Sequence, residues 1–122
     1  MTTKAELYLL TLQELEKSAG NIMSSAIVTR DGLIMSSTSS NNIHKETFAA
    51  YGAAAFKSAS KTMEELSEEN INMLIFESEN YRVVTLQAGE VLLIALTGKD
   101  IQMGMMLLEM KNTAQKVKGF LA

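Results

Sequence analysis

Cysteine, proline and tryptophan are absent from the 122 residues, and histidine occurs once. Without cysteine no disulfide or thiolate metal site can form, and nothing marks the chain for an oxidising compartment. A single histidine, His44, cannot build a histidine-rich metal centre. No serine–aspartate arrangement can be placed beside it, so it reads as a capping or surface residue. Basic excess is missing too. Lys and Arg number 11 against 14 Asp and Glu, a formal charge of −3. A weakly acidic chain with no basic run lacks the phosphate-neutralising groups that supply most nucleic-acid affinity. There is no basic amphipathic helix for a membrane surface, and the longest apolar run, Val91 to Leu96, is far too short to span a bilayer. The start, MTTKAELYLL, lacks the basic flank, long apolar core and cleavage site of a secretory leader. The expectation is a cytoplasmic protein with no nucleic-acid partner and no membrane insertion.

Catalytic chemistry is equally thin. Thr97-Gly98-Lys99-Asp100 is too short to be the glycine-rich phosphate loop, whose pattern is GxxxxGK[ST]. The carboxylates Glu64, Glu65, Glu68 and Glu69 cluster at a helix end and read as a solvated run. No cofactor or metal is expected, and the chain reads as a non-catalytic binding module. Its length suits one domain over residues 1–122, large enough to bury roughly two-thirds of the surface the unfolded chain exposes. No linker, internal repeat or low-complexity tract divides it. The nine methionines are adaptable core fillers, and Met103, Met106 and Met110 sit at helical spacing.

What the chain does have is one long helical stretch, KETFAAYGAAAFKSASKTMEEL, residues 45–66. At 100° per residue, Phe48, Gly52, Ala55, Ala59, Met63 and Leu66 line up as one stripe, flanked by Tyr51 and Phe56. Opposite that stripe the second half carries Lys57, Lys61, Glu64 and Glu65, but the first half carries only Ala50, Ala53 and Ala54. A helix without a polar face is normally covered on more than one side. Small residues also let two helix backbones approach closely. The competing explanation is that alanine serves helix propensity alone.

Around it, residues 3–17 read as a first helix, closed by Gly20 or Asn21 in a left-handed cap. Ile22 to Thr29 and Leu33 to Ser37 flank Arg30-Asp31-Gly32, a hairpin signal for a primed Asp-Gly turn. A polar connection, Ser36 to Asn42, leads to a helix start near His44 or Lys45. Three strands follow, 71–77, 81–88 and 91–97, and the last is apolar throughout, as in the middle of a covered sheet. Asp100 suits the N-cap of a final helix over 101–121, with Met103, Met106, Leu107, Met110, Ala114, Val117 and Leu121 in one stripe. The order is α-ββ-α-βββ-α, an α+β fold with an antiparallel sheet covered by helices on both faces.

This arrangement resembles the roadblock/dynein light chain family, and its stand-alone prokaryotic members more than its dynein-associated ones. The resemblance runs from about Leu7 to Leu121. It rests on the hairpin AIVTRDGLIMSS, the helix FAAYGAAAFKSA, the strands around NMLIFES and VLLIALT, and Gly104 early in the last helix. Profilin-like and longin domains share the general architecture. The resemblance implies a five-stranded antiparallel sheet with the middle helix on one face and the terminal helices on the other. It also implies a homodimer in which the middle helices pack together and strand 71–77 pairs with its counterpart. On this sequence that interface comprises Ala50, Ala53, Ala54, Ile71, Met73 and Ile75. It further implies a Ras-like small GTPase as partner, regulated and in some relatives activated, with Lys57 and Lys61 on the facing surface. Activators of the family lack an arginine finger; the two arginines here, Arg30 and Arg82, read as turn and strand residues. Two other roles fit the resemblance: a scaffold subunit that leaves nucleotide turnover alone, and a profilin-like small-molecule sensor.

Overall fold

The apolar run Val91–Gly98 (β5) is the central strand of a five-stranded sheet. The computed structural model describes residues 2–39 and 44–121. Its other elements are α1 (Lys4–Ala19), β1 (Ile22–Thr29), β2 (Ile34–Ser37), α2 (Lys45–Ser67), β3 (Met73–Glu77), β4 (Tyr81–Ala88) and α3 (Met103–Leu121). The strand order is β2-β1-β5-β4-β3 and every neighbouring pair is antiparallel.

Alternation along the strands divides the interior into two layers. Leu93 and Ala95 of β5 join Ile27, Val84 and Leu86 under α1 and α3, where Tyr8, Leu12, Leu15, Met106, Met110 and Val117 pack. Leu92 and Ile94 point the other way and join Ala26 and Val28 under Ala49, Ala53 and Phe56 of α2. Both faces of β5 are thus covered, which accounts for its unbroken apolar sequence. Terminal helices on one face and the middle helix on the other is the arrangement expected of the roadblock resemblance.

Local chemistry fixes the ends of the elements. Thr3 Oγ1 accepts the Glu6 N–H at 3.1 Å and caps α1. Gly20 and Asn21 both take positive φ after it. The connection from Ser36 to Asn42 is described only as far as Ser39; the rest lies outside the described residues.

Four expectations are corrected. The first hairpin does not close on a two-residue Asp-Gly turn. The Gly32 N–H bonds Thr29 C=O at 3.0 Å, the Thr29 N–H bonds Leu33 C=O at 2.8 Å, and only Gly32 has positive φ, at 92°. This is the longer loop with glycine in the left-handed position, and the pairing slips beside it, between Ile27 and Val28. A Cβ on Gly32 would stand 3.0 Å from Ala50 Cα, so the hairpin also lies tight against α2. Next, Asp100 does not cap α3: the helix begins at Met103, its first bond runs from Met106 N–H to Gln102 C=O, and Asp100 instead accepts a hydrogen bond from the Asn21 side chain. Strand β3 begins at Met73, leaving Ile71 before it.

The last correction concerns α2. Its buried, sheet-facing residues are Ala49, Gly52, Ala53 and Phe56, with Phe48 half-buried against the same layer, and the expected stripe does not run on to Met63 and Leu66. Small residues at 49, 52 and 53 allow the backbone down onto the sheet, so close that a Cβ on Gly52 would come within 2.8 Å of Ile94 Cδ1. The helix then overhangs. Every residue from Lys61 to Asn70 is exposed, including Met63 and Leu66.

Candidate interaction face

Strand β3 is an outer strand, and among the described residues it is bonded to β4 alone and its other edge is open. Which backbone groups face outward follows from two bonds. Gln87 N–H reaches Asn72 C=O at 2.9 Å, and Ser78 N–H reaches Tyr81 C=O at 2.9 Å. In an antiparallel ladder the inward-bonded residues alternate, so Asn72, Leu74, Phe76 and Ser78 bond toward β4. The N–H and C=O groups of Met73, Ile75 and Glu77 therefore point away from the sheet along the free edge. Unpaired groups of this kind are a template for another strand.

The side chains around that edge are unusually apolar for solvent. Ile75 is exposed, and Phe76, on the same side as Leu74 and hence on the α2 face, is 44% exposed. Above that face α2 presents Tyr51 at 73% exposure and Leu66 at 77%. Ala50 and Ala54 complete the outer surface of the helix. Ala53 does not belong there: at 2% exposure it is seated on the sheet against its own core. The expected outward set of alanines is thus reduced to Ala50 and Ala54, because α2 is turned by about one residue from the reading made on spacing alone. Of the strand residues, Met73 and Ile75 lie on β3, while Ile71 precedes it and packs half-buried beneath α2. Lys57 and Lys61 are both exposed on α2. Tyr51 and Phe76 are not singled out by the sequence: spacing alone puts Tyr51 on the flank of the core stripe. A count of alternation from Met73 would have shown Phe76 facing the helix side.

Two grooves adjoin the face. One, of about 630 Å³, lies where α2 hands over to β3, between Met63 and Asn70 on one side and Lys111 and Gln115 of α3 on the other, with Met73 on its floor. The second, of about 470 Å³, runs between Lys57, Ser60 and Glu64 of α2 and the Arg30-Asp31 turn. Arg30 also donates to Gly89 C=O at 3.4 Å.

At the far end of β3 the Glu77 carboxylate accepts from Arg82 Nε at 2.6 Å and Nη2 at 2.5 Å, and Lys99 Nζ stands 3.6 Å away. The Arg82 hydrogen bond, with the charges of Arg82 and Lys99, holds the Glu77 carboxyl below its ordinary 4.5. His44 is exposed at the start of α2 and makes no side-chain cap. Among the described residues no group of three or more His, Cys, Asp or Glu is placed to hold a metal ion. Nor, among them, is any helix long and apolar enough to cross a membrane.

Comparison with known proteins matches this architecture to one family. Residues 7–97 match the Roadblock/LC7 domain. An uncharacterised Methanocaldococcus jannaschii protein, MJ1340, is 32% identical over 107 residues, covering 88% of this chain and 93% of the relative. In three dimensions the chain is similar to Myxococcus xanthus MglB, with a TM-score of 0.90 at 16% identity over 99% of this chain and 92% of that one. It is also similar to a Roadblock/LC7 domain from Streptomyces avermitilis, with a TM-score of 0.88 at 16% identity over 93% and 96% of the two chains.

Proposed function

The chain belongs to the Roadblock/LC7 family, and on that footing we propose that it is a non-catalytic binding module that pairs with a second copy of itself and regulates a Ras-like small GTPase. The observation that carries the reading is the open β3 edge lying beside an uncovered apolar helix. Backbone groups of Met73, Ile75 and Glu77 point along the free edge, and the side chains of Tyr51, Ala54 and Phe76 are exposed. Burying both in a single contact satisfies the edge and covers the helix together. In this reading Ala50 and Ala54 meet their counterparts on the second helix, and Met73 and Ile75 lie in the strand seam. Ile71 packs behind them and Ala53 supports the helix from beneath. Lys57 and Lys61, both exposed on α2, stay outside the seam and face the GTPase.

The regulatory half is supported by the family resemblance and by the lack of any catalytic constellation in the sequence. Its test is to add the protein in stoichiometric amounts to each Ras-like GTPase of its own organism and follow nucleotide hydrolysis and exchange. A change in either rate, lost in a Lys57→Glu/Lys61→Glu variant that still folds, is the expected result. No binding and no rate change with any of them would remove the GTPase from the reading and leave the scaffold role.

A further inference from the structure

The groove between α2 and the first hairpin, about 470 Å³, falls within the roughly 300–1,000 Å³ of small-molecule sites. Its floor is apolar, built from Phe56, Ile71 and Leu92. Its rim carries four charges, Arg30 and Asp31 on the hairpin turn and Lys57 and Glu64 on α2. All four are exposed, and among the described residues none is held in an ion pair. Arg30 is tethered by one long bond, from Nη2 to Gly89 C=O at 3.4 Å, and Gln87 Nε2 donates to the same carbonyl at 3.1 Å. Most of the guanidinium donors stay available.

The charges are ordered along the groove. A Cβ on Gly32 would meet Ala50 Cα and Ala53 Cβ, so the hairpin turn sits beside α2 about one turn before Lys57. Glu64 lies two helical turns beyond Lys57, about 10 Å along the axis. The Lys57 end therefore holds two cations and one carboxylate, a surplus of one positive charge, and the far end holds Glu64. Glu64 is also in the last turn of α2, where the negative end of the helix dipole adds to its own charge.

That polarity selects the ligand. A simple anion would meet Glu64, a simple cation would meet Arg30 and Lys57, and a neutral apolar molecule would strip water from unpaired charges. A zwitterion satisfies both ends. Extended chain advances about 3.3–3.6 Å per residue, so about three residues cover the distance. We propose that the groove binds a short zwitterionic peptide of this length. Its carboxylate lies between Arg30 and Lys57, its ammonium at Glu64, and its central apolar side chain over Phe56, Ile71 and Leu92. Ser60 and Asn70 line the same groove and supply hydrogen bonds for the main-chain amides. Lys57 is shared with the GTPase-facing surface proposed above, but peptide binding needs no GTPase and stands or falls separately from that reading.

Calorimetric titration of the intact chain with the tripeptide Ala-Leu-Ala tests the site. The peptide with free ends is expected to bind. Acetylating its N-terminus or amidating its C-terminus is expected to weaken binding about tenfold in each case, the scale of one hydrogen-bonded charge. Glu64→Gln should weaken the free peptide by the same factor and leave the acetylated one unchanged. Arg30→Met/Lys57→Met should weaken the free peptide and leave the amidated one unchanged. The replaced side chains are exposed, and urea midpoints like the parent's show that each variant is folded. No binding of the free peptide at millimolar concentration would overturn the site. Binding indifferent to both blocked ends, or an acetylated peptide as tight as the free one, would overturn the zwitterion. Losses that track the opposite ends would overturn the orientation.

Discussion

Two neighbouring alanines on α2 separate the domain's own core from its outer surface, and glutamate at each should have opposite effects. Ala53 is 2% exposed and touches the layer formed by Ala26, Val28, Phe56 and Leu92. A carboxylate there has no partner among those side chains, and its extra volume meets a sheet approached closely enough for Gly52 to touch Ile94. An uncompensated buried charge costs about 3–5 kcal/mol, a large share of the roughly 5–15 kcal/mol that holds a domain of this kind together. Ala53→Glu should therefore lower the urea midpoint steeply or abolish folding. One position on, Ala54 is exposed, glutamate is a good helix former, and the new carboxylate stands three residues from Lys57. Ala54→Glu should change the stability of the isolated chain by no more than about 0.5 kcal/mol. It should also drive the pair apart, because the charge is desolvated in the seam. Urea unfolding at two protein concentrations separates the effects, since loss of association alters the midpoint only where mass action applied. If Ala53→Glu unfolds like the parent protein, α2 is not seated on the sheet by this face and the geometry above is wrong. If Ala54→Glu leaves the solution mass unchanged, the outer face of the helix is not the interface.

Other perturbations test other parts of the structure. Leu93→Ala, at a wholly buried position of the central strand, should cost about 2–5 kcal/mol in urea unfolding with an unchanged slope. Gly32→Ala puts a side chain at φ 92° and 3.0 Å from the Ala50 backbone, and should destabilise by about 1–3 kcal/mol in the same assay. Glu77 titrates below its ordinary 4.5 because Arg82 and Lys99 favour the carboxylate. A depressed folded-state value means that its contribution to stability is complete above 4.5 and fades as pH falls through the folded value. Carboxyl NMR should find the Glu77 midpoint below 4.5 and see it rise in Arg82→Met; an unchanged midpoint would discard the ion pair as its cause.

Much of this fold could be read directly. The unbroken VLLIAL run placed β5 in the middle of the sheet because only a strand covered on both faces can afford no polar residue. The α-ββ-α-βββ-α order followed from turn residues and spacing. The rotation of α2 about its own axis was harder to read. Where glycine and alanine occupy 49, 50, 52, 53, 54 and 55, hydrophobicity barely distinguishes one side from another. The seated face is decided by which small residues let the backbone reach Ile94, a tertiary fact with no signature in periodicity. For the same reason the overhang of Met63 and Leu66 was not visible: apolar spacing continues along the helix beyond the point where the sheet stops. The Asp-Gly turn went astray because the loop that closes a hairpin depends on how the strands slip, and here the slip sits beside Val28. The grooves join residues far apart in sequence and could appear only in three dimensions, as could the approach of Lys99 to the Glu77–Arg82 hairpin pair.

The two edges of the sheet are unequal. Strand β2 has four residues, slips in register where it meets β1, and runs straight into a segment pinned back by the Thr38 N–H to Ser25 C=O bond at 3.0 Å and by Thr38 and Ser25 hydroxyls donating to Glu16. Strand β3 has five residues, pairs with β4 without a slip and leaves its outer edge open among the described residues. In the language of polymer chemistry, a sheet with two reactive edges is a bifunctional monomer that grows without limit. One with a single reactive edge is monofunctional, and its first coupling is its last. The blunted β2 edge makes this domain the second kind, so pairing through β3 yields a finite particle where an equally open β2 would have produced a fibre.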